Sequence, residues 1–227
     1  RAAVQEDALE LLYQPRFDLR LGPMVATQIH LCWQNPADGL ISAQDAFAAA
    51  QDSGNVANLL SSILNRTLRN VSEFRYRAGL DLMLGIQLPA TALQVEELPD
   101  VVERALGTWR LRPGRLIFQV GAMAALARRP ALQETLLRLK KVGVLLGIDD
   151  PALELGGLGT IAALPFQYIR LDFAGMPLDA AEAPAGNPPG NNARSDPVRA
   201  LPAALIEMAR RLGWQVIGSG AADEAAA

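Results

Sequence analysis

At 227 residues, 50% of them hydrophobic, and with a formal net charge of −3, the chain can bury one large core as a single domain, 1–227, and offers no basic face to a DNA or RNA polymer. Its single cysteine, Cys32, excludes an internal disulfide framework and suits a reducing compartment. No apolar run approaches the ~20 residues that cross a bilayer and no signal-peptide pattern precedes the first element, so no direct membrane insertion and a cytoplasmic location are expected.

The chain opens at Arg1, close to its first strand, as a segment of a longer multidomain protein would. Leu11-Leu12-Tyr13 reads as a short strand and Pro23 to Trp33 as a longer one; the turn-sized link 18–22 predicts that they form an antiparallel hairpin. Ser42 with Asp45 marks a helix start, continued through Ala50 to a stop at Gly54. Val56, Leu59, Leu60, Ile63, Leu64, Leu68, Val71 and Phe74 recur at three and four residues, predicting a long amphipathic helix that ends near Gly79. That stripe would serve equally as a dimer face or as packing on the sheet.

Leu82 to Leu88 reads as a buried strand, Asp100 to Leu106 as a helix and Leu116 to Val120 as the next strand. Pro130 opens a helix (Leu132, Leu136, Leu137, Leu139) that stops at Gly143. The apolar run Val142 to Asp150 is a strand, followed by a short helix around 158–164 and a strand Tyr168 to Asp172. Residues 174–195, rich in Ala, Pro, Gly and Asn, are expected to be a flexible insertion. Pro197 opens a helix holding Leu201, Leu205, Met208 and Leu212, and Gln215 to Gly218 is the last strand. Seven strands alternating with helices predict an α/β fold whose parallel sheet closes as a barrel.

The strand 142–150 delivers adjacent carboxylates, Asp149 and Asp150, to a strand C-terminus, where barrels and open α/β sheets place ligands and metals. A phosphate-ester hydrolase needs further carboxylates, or an amide and a lysine, at neighbouring strand ends. Those positions hold Gln28, Gln87, Gln119, Arg170 and Ser219. The aspartate pair either retains one cation or is held by backbone N–H groups and Arg170, because adjacent carboxylates are costly without an offset. Arg170 and Asp172 alternate onto one face and can pair there, and Arg170 is the one cation that this strand pattern directs to the mouth. His30 and Cys32 share a face with Gln28 but lack companions at ligand or catalytic spacing. Structural roles are expected, Cys32 as a small buried core residue.

In order and spacing these segments resemble the EAL domain family, bacterial phosphodiesterases that act on cyclic di-GMP through a (β/α)8-like barrel with two divalent metals. Leu12-Tyr13-Gln14-Pro15 resembles the opening YQP strand, and Val25 to Trp33 (VATQIHLCW) the strand carrying the EAL triplet. Leu84 to Leu93 (LGIQLPATAL) resembles the VNLSxxxL segment, Arg115 to Ala122 (RLIFQVGA) RLxxEITE, and Gly147 to Asp150 the LDDFG segment. Leu164-Pro165 with Tyr168 to Asp172 resembles LPxDxLKID, and Val216 to Asp223 resembles VVAEGVET. The resemblance implies a TIM-type barrel with an antiparallel first strand, its last strand and helix falling beyond Ala227.

The departures from the family pattern bear on function. The metal-binding glutamate falls on Gln28, the asparagine ligand on Gln87, the next glutamate on Gln119, the water-positioning lysine on Arg170 and the late glutamate on Ser219. Two adjacent divalent cations need several anionic oxygens, so the Mg²⁺ or Mn²⁺ site is expected to be lost, with no cofactor and no hydrolysis. Some members with degraded metal sites still bind the dinucleotide and signal through protein contacts. Candidate ligand-binding residues here are Gln14, Gln28, Gln87, Gln119, Asp149, Asp150 and Arg170. Against binding, Cys32 replaces the arginine before the tryptophan, and Pro151-Ala152-Leu153 replaces FGTG. The expectation is an inactive cyclic di-GMP receptor acting through a protein partner or homodimer. An interaction scaffold without nucleotide and a weak residual phosphodiesterase are the alternatives.

Overall fold

The computed structural model describes residues 9–35, 39–121, 129–149, 162–172 and 197–220. β1 (Leu9–Phe17) and β2 (Met24–Asn35) form the antiparallel hairpin. Its turn is held by Asp18, whose carbonyl accepts the Gly22 N–H at 2.7 Å and whose Oδ1 accepts the N–H of Arg20 and Leu21. β1 runs well beyond the three residues read from sequence, because its second half, Gln14 to Phe17, alternates without an apolar signal. A short β3 (Gly39–Ser42) pairs antiparallel with the end of β2, making eight strands where seven were expected. Four residues carry too little periodicity to announce a strand.

From β2 the sheet continues in parallel through β4 (Met83–Leu88), β5 (Leu116–Val120), β6 (Leu145–Asp149), β7 (Tyr168–Asp172) and β8 (Gln215–Ser219). This is the strand order of an α/β barrel. Among the described residues, however, β1 and β8 end the hydrogen-bonded path and do not pair with each other.

The helices follow their local signals. α1 spans Ala43–Asp52 and α2 spans Val56–Ala78, ended by Gly79 at φ 66, a left-handed cap that glycine adopts without strain. α3 (Leu98–Trp109) starts earlier than the sequence reading, with Pro99 in its first turn where a missing N–H costs nothing. α4 (Pro130–Val142) ends at Gly143 as expected, and α5 (Pro197–Arg211) precedes β8.

The core lies between this helical layer and one face of the sheet. Ile29, Leu84, Ile86, Phe118, Leu146, Ile148 and Ile169 pack with Leu60, Leu64 and Leu68 of α2 and Leu136 and Leu139 of α4. The stripe on α2 is therefore sheet packing. Phe74 leaves that core but meets Tyr13 edge-on at 5.5 Å, and the Tyr13 hydroxyl accepts from Asn70 Nδ2 at 2.8 Å, fastening β1 to α2. Leu137, read as part of the apolar face of α4, is 49% exposed; at its angle on the helix it points away from the sheet. The alternate strand residues face the other way and include buried polar groups: Gln28, Gln119 and Asp149. In an otherwise apolar sheet, that polar row is the informative feature.

Candidate functional site

Strand register assembles the row. Gln28 stands beside Gly85, Gln87 beside Gln119, Gln119 beside Gly147, Asp149 beside Arg170 and Asp172 beside Ser219. Because side chains alternate along a strand, Gln28, Gly85, Gln87, Gln119, Asp149 and Arg170 share one side of the sheet.

Hydrogen bonds join them. Gln87 Nε2 donates to Asp149 Oδ2, Arg170 Nε forms an ion pair with Asp149 Oδ1, and Arg170 Nη1 reaches Ser219 Oγ at 3.4 Å. Arg16 enters from β1. Its Nη2 donates to Gln28 Oε1 and, at 3.2 Å, to Gln119 Oε1. Gly85 makes this approach possible: a Cβ there would stand 2.3 Å from Gln28 Oε1 and 3.0 Å from Arg16 Nη1.

The electrostatics are lopsided. Asp149 is 4% exposed and the Arg170 side chain 21%, so this ion pair is mostly desolvated and is completed by the Gln87 amide. Arg16 bonds two neutral carbonyl oxygens instead. Its Nη1, and Nε2 of Gln119, are buried with no hydrogen-bond partner among the described residues. Burial first, then repulsion by Arg170, lowers the Arg16 pKa to about 10, with Asp149 pulling the other way. Arg16 therefore stays charged at neutral pH. His30 Nε2 lies 2.9 Å from Gln14 Oε1. Burial, then Arg170 and Arg16, holds the His30 pKa below its ordinary value of 6.5, so the ring is neutral at pH 7 and donates to that oxygen.

The structure thus brings together Gln28, Gln87, Gln119, Asp149, Arg170 and Ser219. Gln14 stays outside the group: it is exposed and bonded to His30. Asp150, the insertion 174–195 and most of the short helix expected at 158–164 lie outside the described residues. Arg170 directs its Nε at Asp149, its register partner on the adjacent strand, where directly opposed Cβ atoms are only ~5 Å apart.

Two readings need correction, and one residue was missed. Arg170 is not the one cation directed here, since Arg16 joins it; ending β1 at Tyr13 hid Arg16 from the strand pattern. Cys32 is half-buried rather than a buried core residue, because it lies on the outer part of β2, between Glu10 and Ser42. Gly85 had a usable signal, a glycine inside an apolar strand, that marks close approach of another group. Among the described residues, no three His, Cys, Asp or Glu side chains gather as a metal-ligand set.

A family model described as EAL domain matches residues 1–227. An uncharacterized protein of Mycobacterium tuberculosis is 31% identical over 175 residues, which cover 76% of this chain and 28% of that protein. A bifunctional diguanylate cyclase/cyclic di-GMP phosphodiesterase of Pseudomonas aeruginosa, MucR, is 24% identical over 99% of this chain and 31% of its own length. The chain thus spans less than a third of these curated relatives. Among solved structures, the MucR phosphodiesterase in its c-di-GMP complex superposes with a TM-score of 0.79 at 24% identity, covering 99% of this chain and 85% of that one. The Xanthomonas citri FimX EAL domain in complex with c-di-GMP superposes with a TM-score of 0.73 at 18% identity, covering 97% of this chain and 80% of that one.

Proposed function

The chain belongs to the EAL domain family, and from that premise we propose that it is a catalytically silent member: a cytoplasmic receptor for cyclic di-GMP that reports the ligand through contact with a protein partner or a second copy of itself. One observation carries this reading. In the hydrogen-bonded group the carboxylate of Asp149 is already engaged by Arg170 and Gln87, and a second guanidinium, Arg16, lies in the same group.

That donor set does not fit two divalent cations. Gln28, Gln87 and Gln119 supply neutral oxygens, and two fixed positive charges would repel each metal ion as it arrived. The same set suits an anionic ligand, since guanidinium and amide N–H groups are phosphate donors. That MucR and FimX are c-di-GMP complexes of the same fold makes the dinucleotide the ligand to test.

Calorimetry with cyclic di-GMP in EDTA, paired with a turnover assay in millimolar Mn²⁺, tests the proposal. Binding without metal and no linear dinucleotide are expected. Metal-dependent hydrolysis would make the domain a phosphodiesterase, and absence of any binding would leave a protein-interaction scaffold.

A further inference from the structure

Two half-buried guanidiniums in one group need an explanation, because each raises the cost of the other. Arg170 is compensated by Asp149. Arg16 forms no ion pair among the described residues: its hydrogen bonds run to the carbonyl oxygens of Gln28 and Gln119, which offer dipoles, and Asp149 supports it only from a distance. A half-buried cation without an ion-pair partner is costly, and here a second cation stands near enough to help depress its pKa.

The unmet donors point the same way. Among the described residues Arg16 Nη1 has no hydrogen-bond partner, and neither does Nε2 of Gln119, a residue only 1% exposed. Both unmet groups are N–H donors, so what would complete the cluster is an acceptor, and the second guanidinium beside the Arg170–Asp149 pair favours one carrying negative charge. Beside them, Gly85 withholds the Cβ that would crowd Arg16 Nη1 and Gln28. Arg16 is thus held by one nitrogen and left with another to give.

We propose that Arg16 and Arg170 form a metal-independent seat for a phosphodiester group, with Arg16 Nη1 and Gln119 Nε2 as its unmet donors and the two guanidiniums supplying the charge that metal ions would otherwise provide. A tetrahedral oxyanion suits donors that approach from different strands, and a guanidinium fork matches its paired oxygens. Asp149 keeps Arg170 oriented, while Gln28 and Gln119 orient Arg16. This inference rests on the receptor reading for the identity of the nucleotide and adds the groups that seat its phosphate.

The test measures calorimetric binding of two probes in EDTA, cyclic di-GMP and inorganic pyrophosphate, to the wild-type chain, Arg16→Met and Arg16→Lys. The wild type is expected to bind both. Arg16→Met should lose at least about tenfold, the loss of one charge-assisted contact, and Arg16→Lys should fall between them. Cyclic di-GMP binding that is unchanged in Arg16→Met overturns the seat and leaves the receptor standing. Pyrophosphate binding that depends on Arg16, without binding of cyclic di-GMP, supports the seat and overturns the receptor. Binding of neither probe, or binding only with Mg²⁺, overturns the seat. If Arg16→Met no longer melts cooperatively, guanidinium NMR of the wild type decides. A shift of the Arg16 resonance on adding pyrophosphate supports the seat, and an unmoved resonance refutes it.

Discussion

Gly85→Ala isolates the packing that holds Arg16 in place. The added Cβ would fall 2.3 Å from Gln28 Oε1 and 3.3 Å from its Cδ, well inside contact distance. Gln28 is 4% exposed and its carbonyl holds Arg16, so the amide cannot swing away without breaking that bond. Losing a hydrogen bond to a charged group costs about 1.5–3 kcal/mol. Against this, alanine in place of a strand glycine returns about 0.5–1 kcal/mol through the unfolded state. The expected net loss is about 0.5–2.5 kcal/mol, or roughly 1–10 °C in Tm for a chain of this size. Urea denaturation of a double-mutant cycle with Gln28→Ala is the appropriate assay. Once the Gln28 amide is gone, Gly85→Ala should become neutral or mildly stabilising. An equal cost in both backgrounds, or wild-type stability of Gly85→Ala alone, would refute the reasoning.

Asp149→Asn should destabilise the fold by about 3 kcal/mol, because it leaves the largely buried Arg170 uncompensated next to Arg16. A midpoint in urea unchanged from wild type would mean that solvent already screens the pair. Tyr13→Phe keeps the edge-on contact with Phe74 but deletes the acceptor for Asn70, so a loss of about 0.5–1.5 kcal/mol is expected in chemical denaturation; a larger loss would show that the hydroxyl has further partners. His30 gives a pH signature. Burial, then Arg170 and Arg16, lowers its folded-state pKa below 6.5, with Asp149 opposing, so below that pH the unfolded chain binds a proton that the folded chain resists. Stability should therefore fall as pH drops through 6.5 toward the folded-state pKa, and His30→Gln should flatten that slope in thermal melts between neutral pH and pH 5. Identical slopes in the two proteins would count against a depressed His30 pKa.

The elements that sequence periodicity announced are those whose cause is local. α2 and α4 carry an apolar face every three to four residues and end at glycines in left-handed conformation, Gly79 and Gly143, so both ends of the signal lie within the helix itself. β5 and β7 are short runs flanked by turn signals, and their bounds fall where those signals place them. The row from Gln87 through Gln119 and Asp149 to Arg170 was likewise legible, because each lies at or beyond the middle of a recognisable strand and parallel strands bring those positions together, whereas Gln28 lies in the first half of the longer β2. The balance of charge inside the row was not. Arg16 meets Gln28 across 12 residues of sequence and Gln119 across 103, and β1 looked too short to contain it. Gln14, two residues earlier, turned instead to His30. Which side chain fills the polar face of this sheet depends on register, on the side chains opposite and on the space a glycine leaves. None of these leaves a mark on the residues flanking Arg16 in the chain, so its partners emerge only when distant strands pack together.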